Sequence, residues 1–300
     1  VLRPDRSQLT LSDGVAEAVV LPWLGGGLER YDLVSRGRRE PLFRAAPPET
    51  SEPFALANIL LVPWSNRISG GGFHFGGAFH RLDANVPGEP FPIHGNGFSS
   101  QWRVREHRAD RAILSLASDG PGPFRYEAEA TYELSNGALT MRLAVVNRAK
   151  DPLPYGLGFH PWLPRTPDTL LAASAQGVWL EDQRHLPTGR LPVNERPEWD
   201  FSTLQRLPEQ WLNNAFDGWG GRAAIVWPDR RLALDVEAGP RLGVYIVYSP
   251  TGAADFFCFE PVAHPVDAHN LPPDPTAYGL TILAPGARLE ASCRFIPREV

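Results

Sequence analysis

From Phe124 to Leu134 the chain alternates with a period of two. Phe124, Tyr126, Ala128, Ala130, Tyr132 and Leu134 fall on one face, and Arg125, Glu127, Glu129, Thr131 and Glu133 on the other. Successive side chains of a strand point to opposite sides, so this pattern predicts a half-buried antiparallel strand. Asn136-Gly137 follows, a dipeptide that tolerates positive φ at both central turn positions. Leu139, Met141, Leu143 and Val145 then alternate again, which makes the pair a hairpin.

The same reading extends along the chain. Ala16 to Leu21 and Leu28 to Ser35 flank Gly25-Gly26-Gly27 as a second hairpin; the glycine run lacks the spacing and lysine of a phosphate loop and reads as a turn. Further strands are expected at Gln101 to Val104, Ala112 to Ala117, Ala223 to Trp227, Leu232 to Val236, Leu242 to Tyr248, Gly279 to Leu283 and Leu289 to Phe295. One short helix is expected from about Leu204 to Leu212, weakened by Pro208. The 31 prolines fall mostly between the strands and punctuate them. With no fixed-period repeat and no linker-like segment, residues 1–300 are expected to form a single all-β domain, a large antiparallel β-sandwich.

Composition narrows the function classes. A net charge of -5 argues against a nucleic-acid partner, and the chain has no apolar run long enough for a membrane helix. The first residues carry no signal-peptide pattern, which makes a cytoplasmic location the expectation. Cys258 and Cys293 both sit in apolar strand-like contexts and read as reduced, buried thiols. Lys150 is the only lysine, so Schiff-base or P-loop chemistry would have to use it.

Four places present polar groups where the pattern does not call for them. In Phe256-Phe257-Cys258-Phe259-Glu260-Pro261 an apolar strand delivers a carboxylate at its end, just before a proline that a sheet interior does not favour. His160 stands in Gly158-Phe159-His160-Pro161-Trp162, where Trp162 could offer an apolar face to a sugar ring. Arg67 stands in Ser65-Asn66-Arg67-Ile68 ahead of Gly70-Gly71-Gly72, with a planar donor fork suited to hydroxyls or carboxylates. His94 stands before Gly95-Asn96-Gly97, where backbone can approach a ligand. Each has a plainer reading: a solvated strand end, a packed core histidine, a surface ion pair. No metal site is expected, because His264 and His269 near Glu260 lack a third nearby ligand. No Gly-x-Ser-x-Gly elbow is present.

Taken in order, Asn66-Arg67-Ile68, His94-Gly95, Gly158-Phe159-His160-Pro161 and Phe257-Cys258-Phe259-Glu260-Pro261 resemble the aldose 1-epimerase (galactose mutarotase) family. Leu21-Pro22-Trp23-Leu24-Gly25-Gly26, Leu186-Pro187-Thr188-Gly189 and Pro285-Gly286 extend the likeness over nearly the whole chain. The resemblance implies a galactose-mutarotase-like supersandwich with a sugar cleft across one sheet. It implies Glu260 as general base, His160 as general acid, and Arg67 and His94 as residues that hold and polarise the sugar. Where the family usually has an aspartate, before Asn214-Ala215-Phe216, this chain has Asn213, which can bond sugar hydroxyls without a carboxylate's charge.

The implied activity is interconversion of the α and β anomers of a free aldose such as galactose or glucose. The carboxylate and imidazolium are expected on opposite sides of a pyranose-sized gap, and no cofactor is expected. Three alternatives stand beside it. One is a non-catalytic or regulatory carbohydrate-binding sandwich, suggested by Asn213. Another is a mutarotase for a sugar phosphate, which would need further basic residues in the cleft; the sequence does not fix the direction of Arg81, Arg103 or Arg165. The last is glycoside cleavage by Glu260 with Asp255 or Asp267.

Overall fold

A computed structural model describes residues 6–35 and 38–300. Residues 1–5, which carry most of the expectation about a leader, lie outside the described residues. The Asn136-Gly137 hairpin pairs Tyr126–Ser135 with Ala138–Asn147, and the two turn residues have φ of 52° and 82°. Tyr126, Ala128, Ala130, Tyr132 and Leu134 are buried, while Glu127 and Glu129 face solvent. Phe124 is buried but lies in the turn before the strand.

These strands belong to a nine-stranded antiparallel sheet that also holds Arg111–Ser118, Arg222–Trp227, Leu232–Ala238 and the long strand Arg288–Glu299. An eleven-stranded antiparallel sheet is built from Leu9–Ser12, Ala16–Leu21, Gly27–Ser35, Asn58–Leu61, Gly158–Pro164, Phe256–Val262, Val244–Ser249, Leu212–Asp217, Gly177–Glu181 and Pro187–Pro192, in that order, with Arg38–Phe43 paired to Gly27–Ser35. One buried apolar cluster draws on both sheets: Leu60, Phe159, Phe257 and Phe259 from the larger, Tyr132, Leu143 and Phe295 from the smaller. At roughly 1.5–3 kcal/mol per fully buried large side chain, this layer is the main source of stability. Tyr31 ties the sheets together, its hydroxyl donating to Gly137 O (2.6 Å) and accepting from Leu139 N–H (3.1 Å). Helical structure among the described residues is confined to short 3-10 turns such as Pro53–Ala55 and Gly97–Ser99, so no helix there is long and apolar enough to cross a membrane.

The expected helix at 204–212 does not form. Gln205–Arg206 makes a short strand, a loop passes through Pro208, and Leu212 already begins the next strand. Pro208 removes a backbone donor, and the strand partners of Leu212–Asp217 supply bonds that an isolated turn of helix would lack. Cys258 and Cys293 are both buried and unpaired.

The glycine run at 25–27 is a turn packed under the loop that ends at Ser100. Gly25 has φ of +66°, its N–H donates to Ser100 O at 3.0 Å, and a Cβ there would lie 1.8 Å from the carbonyl oxygen of Phe98. Gly26 O accepts from the Tyr132 hydroxyl at 2.5 Å. Left-handed strain and the backbone clash together make Gly25→Ala destabilising by roughly 2–4 kcal/mol, measurable as a lowered denaturation midpoint at unchanged m-value.

Candidate active site

The site grows from the middle of the larger sheet. Gly158–Pro164 lies between Asn58–Leu61 and Phe256–Val262, and its register pairs Gly158 with Val262 and Trp162 with Cys258. His160 therefore sits opposite Glu260. Strand alternation sends Phe159, Leu163, Phe257 and Phe259 into the core between the sheets and leaves His160, Trp162, Cys258 and Glu260 on the other face. Glu260 is not at a strand end, as the following proline suggested. The strand runs on through Pro261 to Val262. Between Gly158–Val262 and Trp162–Cys258 the pairing is interrupted, where Pro161 and Pro261 have no N–H to give.

His160 Nε2 and Glu260 Oε1 are 3.3 Å apart. They stand side by side on neighbouring strands rather than across a gap, because facing positions of an antiparallel pair on one sheet face are held close together. Glu260 is 2% exposed and His160 6%. Among the described residues, Glu260 Oε2 and His160 Nδ1 have no hydrogen-bond partner. Burial pushes the Glu260 carboxyl up to about 8, an effect that Arg67 partly offsets, and pushes the His160 imidazole down to about 3, helped by the charge of Arg44. Burial thus favours the form in which both groups are neutral and the pair holds one proton.

Two loops bring the other chosen residues to the same place. Asn66 and His94 both adopt left-handed backbone, at φ of 56° and 59°, and lock each other: His94 N–H donates to Asn66 O (3.0 Å), and Asn66 N–H donates to His94 Nδ1 (2.9 Å). A ring nitrogen that accepts from an amide carries no proton, so neutral His94 has its N–H at Nε2. Burial, with His160 and Arg67 nearby, holds His94 well below the usual histidine range and so keeps it neutral. Arg67 makes a two-pronged ion pair with Glu89, Nε to Oε1 at 3.0 Å and Nη2 to Oε2 at 2.7 Å. The loop is pinned by Asp267, whose N–H donates to Arg67 O and whose carboxylate accepts from Ser69 N–H (2.8 Å) and the Ser69 hydroxyl (2.6 Å).

Asn213, on Leu212–Asp217, donates from Nδ2 to Glu181 Oε2 at 2.9 Å; Glu181 also bonds His185 Nδ1 and accepts from Trp211 Nε1. A carboxylate thus stands directly behind the amide. Glu260, His160, Arg67, His94 and Asn213 all line one cavity of about 450 Å³, within the roughly 300–1,000 Å³ typical of small-molecule sites. Its wall also contains Arg44, Phe54, Trp162, Trp211, Tyr248 and Phe256. Trp162 stacks on the His160 ring at 3.9 Å.

Arg44 is the charged residue of the cavity wall that sequence reading missed, as Glu181 is behind it. No motif surrounds Arg44, and its place in the cavity depends on its N–H bonding Trp162 O (2.8 Å) more than a hundred residues away. The basic residues left open by the sequence lie elsewhere. Arg81 pairs with Asp83 at the surface, Arg103 lies in a groove on the nine-stranded sheet, and Arg165 bonds the Ser249 hydroxyl and Pro208 O.

His264 and His269 are occupied by backbone: His264 Nε2 accepts from Ser65 N–H, its Nδ1 bonds Pro265 O, and His269 Nε2 bonds Pro154 O. His160, Cys258 and Glu260 bring one nitrogen, one sulfur and one oxygen donor within 4.8 Å of one another, a set suited to a divalent ion such as zinc. Arg44 and Arg67 act electrostatically on the same residues and work against a bound cation. A glycosidase carboxylate pair finds no support, since Asp255 is exposed and Asp267 is spent on Ser69.

Residues 7–295 match the family model described as aldose 1-epimerase. The uncharacterized protein YphB of Escherichia coli (strain K12) is 34% identical over 232 residues, covering 75% of this chain and 78% of that protein. The crystal structure of a candidate aldose 1-epimerase from Escherichia coli K12 superposes with a TM-score of 0.89 at 31% identity, covering 98% of this chain and 99% of the other. A galactose mutarotase-like protein from Clostridium acetobutylicum shares the fold, with a TM-score of 0.82 at 19% identity over 97% and 95% of the two chains. With a full-length family match and a supersandwich carrying the ordered motifs, the chain belongs to the aldose 1-epimerase family.

Proposed function

We propose that the chain is a mutarotase that opens and recloses the ring of a free aldose, with Glu260 as the base and His160 as the acid. The observation that carries this reading is the buried His160–Glu260 pair, 3.3 Å apart on one cavity wall. Ring opening takes the proton from the C1 hydroxyl while the ring oxygen receives one. Both oxygens hang on the same carbon, so acid and base must be neighbours, and facing positions on adjacent strands meet that need. Rotation about C1–C2 and the reverse transfers give the other anomer and restore both side chains.

One proton on the pair suffices for every step. The ion pair of carboxylate and imidazolium begins the reaction, and the neutral pair accompanies the open-chain aldehyde. Burial favours the neutral pair; the Arg67 charge and sugar hydroxyls bonding Glu260 Oε2 favour the ion pair, which brings the two forms closer in energy. His94, donating from Nε2, and Arg67 polarise sugar oxygens as charge develops on them. Asn213 holds a sugar hydroxyl, with Glu181 orienting its amide. The acid–base set is complete, so asparagine at 213 does not argue for lost turnover. The buried cluster shared by both sheets supports residues 1–300 as a single domain.

Polarimetry of freshly dissolved α-glucose and α-galactose tests the reading. Catalytic amounts of protein should speed the decay of rotation well beyond buffer. Unchanged decay with every aldose tried, charged sugars included, would refute it.

A further inference from the structure

The cavity wall carries a third histidine, which the proton transfers do not use. His185 lies in the turn that joins Gly177–Glu181 to Pro187–Pro192, and its backbone is left-handed, at φ of 61°. That conformation costs free energy for a residue with a side chain, and it persists where the surroundings impose it. Here Asp182 imposes it. Asp182 O accepts from His185 N–H at 2.9 Å, and the Asp182 carboxylate accepts from the backbone N–H groups of Arg184 (2.8 Å) and Leu186 (3.1 Å). The imidazole lies against the Trp211 ring, with centres 5.4 Å and planes 26° apart. The side chain is 33% exposed, so a ligand in the cavity can reach it.

Glu181 decides what the ring offers. Its Oε1 accepts from Trp211 Nε1 at 2.8 Å, and its Oε2 is 2.9 Å from Asn213 Nδ2 and 3.0 Å from His185 Nδ1. An ionised carboxylate can only accept, so Nδ1 carries the proton, and in the neutral ring Nε2 is a bare acceptor. Among the described residues nothing bonds that nitrogen. The same rule turns the Asn213 NH2 toward Glu181 and leaves Asn213 Oδ1 as an acceptor. His94 is the converse, since its Nδ1 accepts and its Nε2 donates. The two stand on opposite sides of the reacting pair. The His94 loop is bridged to Val62, beyond the strand of His160, whereas Asn213 lies two strands from Glu260 the other way, about 10 Å, and Glu181 one strand further. The cleft is thus polarised, with donors at one end and acceptors at the other. We propose that His185 Nε2 accepts a hydrogen bond from a sugar hydroxyl remote from C1, and that Glu181 is the positioning residue that fixes its tautomer. This deepens the mutarotase reading and rests on it.

The test measures mutarotation of glucose and of its 2-, 3-, 4- and 6-deoxy analogues by the wild type, by Glu181→Ala and by His185→Phe, which keeps an aromatic ring against Trp211. His185→Phe should lower kcat/KM for glucose about three- to tenfold, through KM with kcat nearly kept, as for the loss of one neutral hydrogen bond. One analogue should lose nothing, because the hydroxyl it lacks is the one that His185 holds, and the others should fall as glucose does. Nitrogen-15 NMR of the neutral His185 ring should find the proton on Nδ1 in the wild type. Glu181→Ala should move it toward Nε2 and raise KM for glucose with kcat nearly kept. Thermal melting confirms folding. Equal losses for glucose and every analogue, or a wild-type ring protonated at Nε2, would overturn the proposal while the mutarotase reading stands. If no sugar is turned over, the mutarotase reading fails, and the same ratios from calorimetric binding decide for or against the contact at His185.

Discussion

Glu260→Gln should lower kcat/KM for mutarotation by about 10²–10⁴-fold and make the protein more stable at neutral and alkaline pH. The two effects share one cause. The carboxyl has an ordinary value of 4.5 and is pushed up to about 8 by burial beside His160. A raised value in the folded state means that the contribution to stability is fully present below 4.5 and is lost as pH rises through about 8. At pH 7 the unfolded chain has released this proton and the folded chain still holds it, a penalty on the order of 3 kcal/mol. Glutamine keeps the shape and a hydrogen-bonding oxygen but has no proton to release. Melting curves at pH 5 and pH 8 should nearly coincide at the lower pH, with the variant several degrees higher at the upper. Equal melting at both values would mean that the carboxyl is not held protonated.

His160→Gln should also cost about 10²–10⁴-fold in kcat/KM, with the opposite signature in stability. Burial lowers the imidazole from 6.5 to about 3, so its contribution to stability is present above 6.5 and is lost as pH falls toward 3. The variant should therefore gain over the wild type in acid and not in alkali. In the wild type the pair holds one proton from about pH 3 to about pH 8. kcat/KM should accordingly stay nearly flat through neutrality and decline above about pH 8, as the last proton leaves. A rate that instead rises through pH 8 would contradict a mechanism in which the pair must carry a proton.

Much of the fold was legible because local rules fixed it. Asn136-Gly137 set the hairpin, and the two-residue period from Tyr126 to Leu134 set its buried face. What local rules do not fix is which distant strands become neighbours. His160 and Glu260 are a hundred positions apart, and only the register of Gly158–Pro164 with Phe256–Val262 makes them touch. Pro261 reads locally as a strand stop, yet the central sheet tolerates it by interrupting the ladder there. Arg44 and Glu181 were invisible for the same reason: each acts through a partner, Trp162 or Asn213, that the chain brings near only once folded. The resemblance to a family located the residues of the cleft; the His94 hydrogen bonds that set its tautomer, the Arg67–Glu89 ion pair and the contact between His160 and Glu260 came from the structure.

The most direct measurement is magnetisation exchange between the α and β anomeric protons of an aldose at equilibrium, recorded by NMR with wild-type protein and with Glu260→Gln at pH 7. The wild type should produce exchange cross-peaks that buffer lacks, and the variant should not. Exchange of equal strength in both proteins, or none with any neutral or anionic aldose, would contradict the assignment of proton transfer to the His160–Glu260 pair.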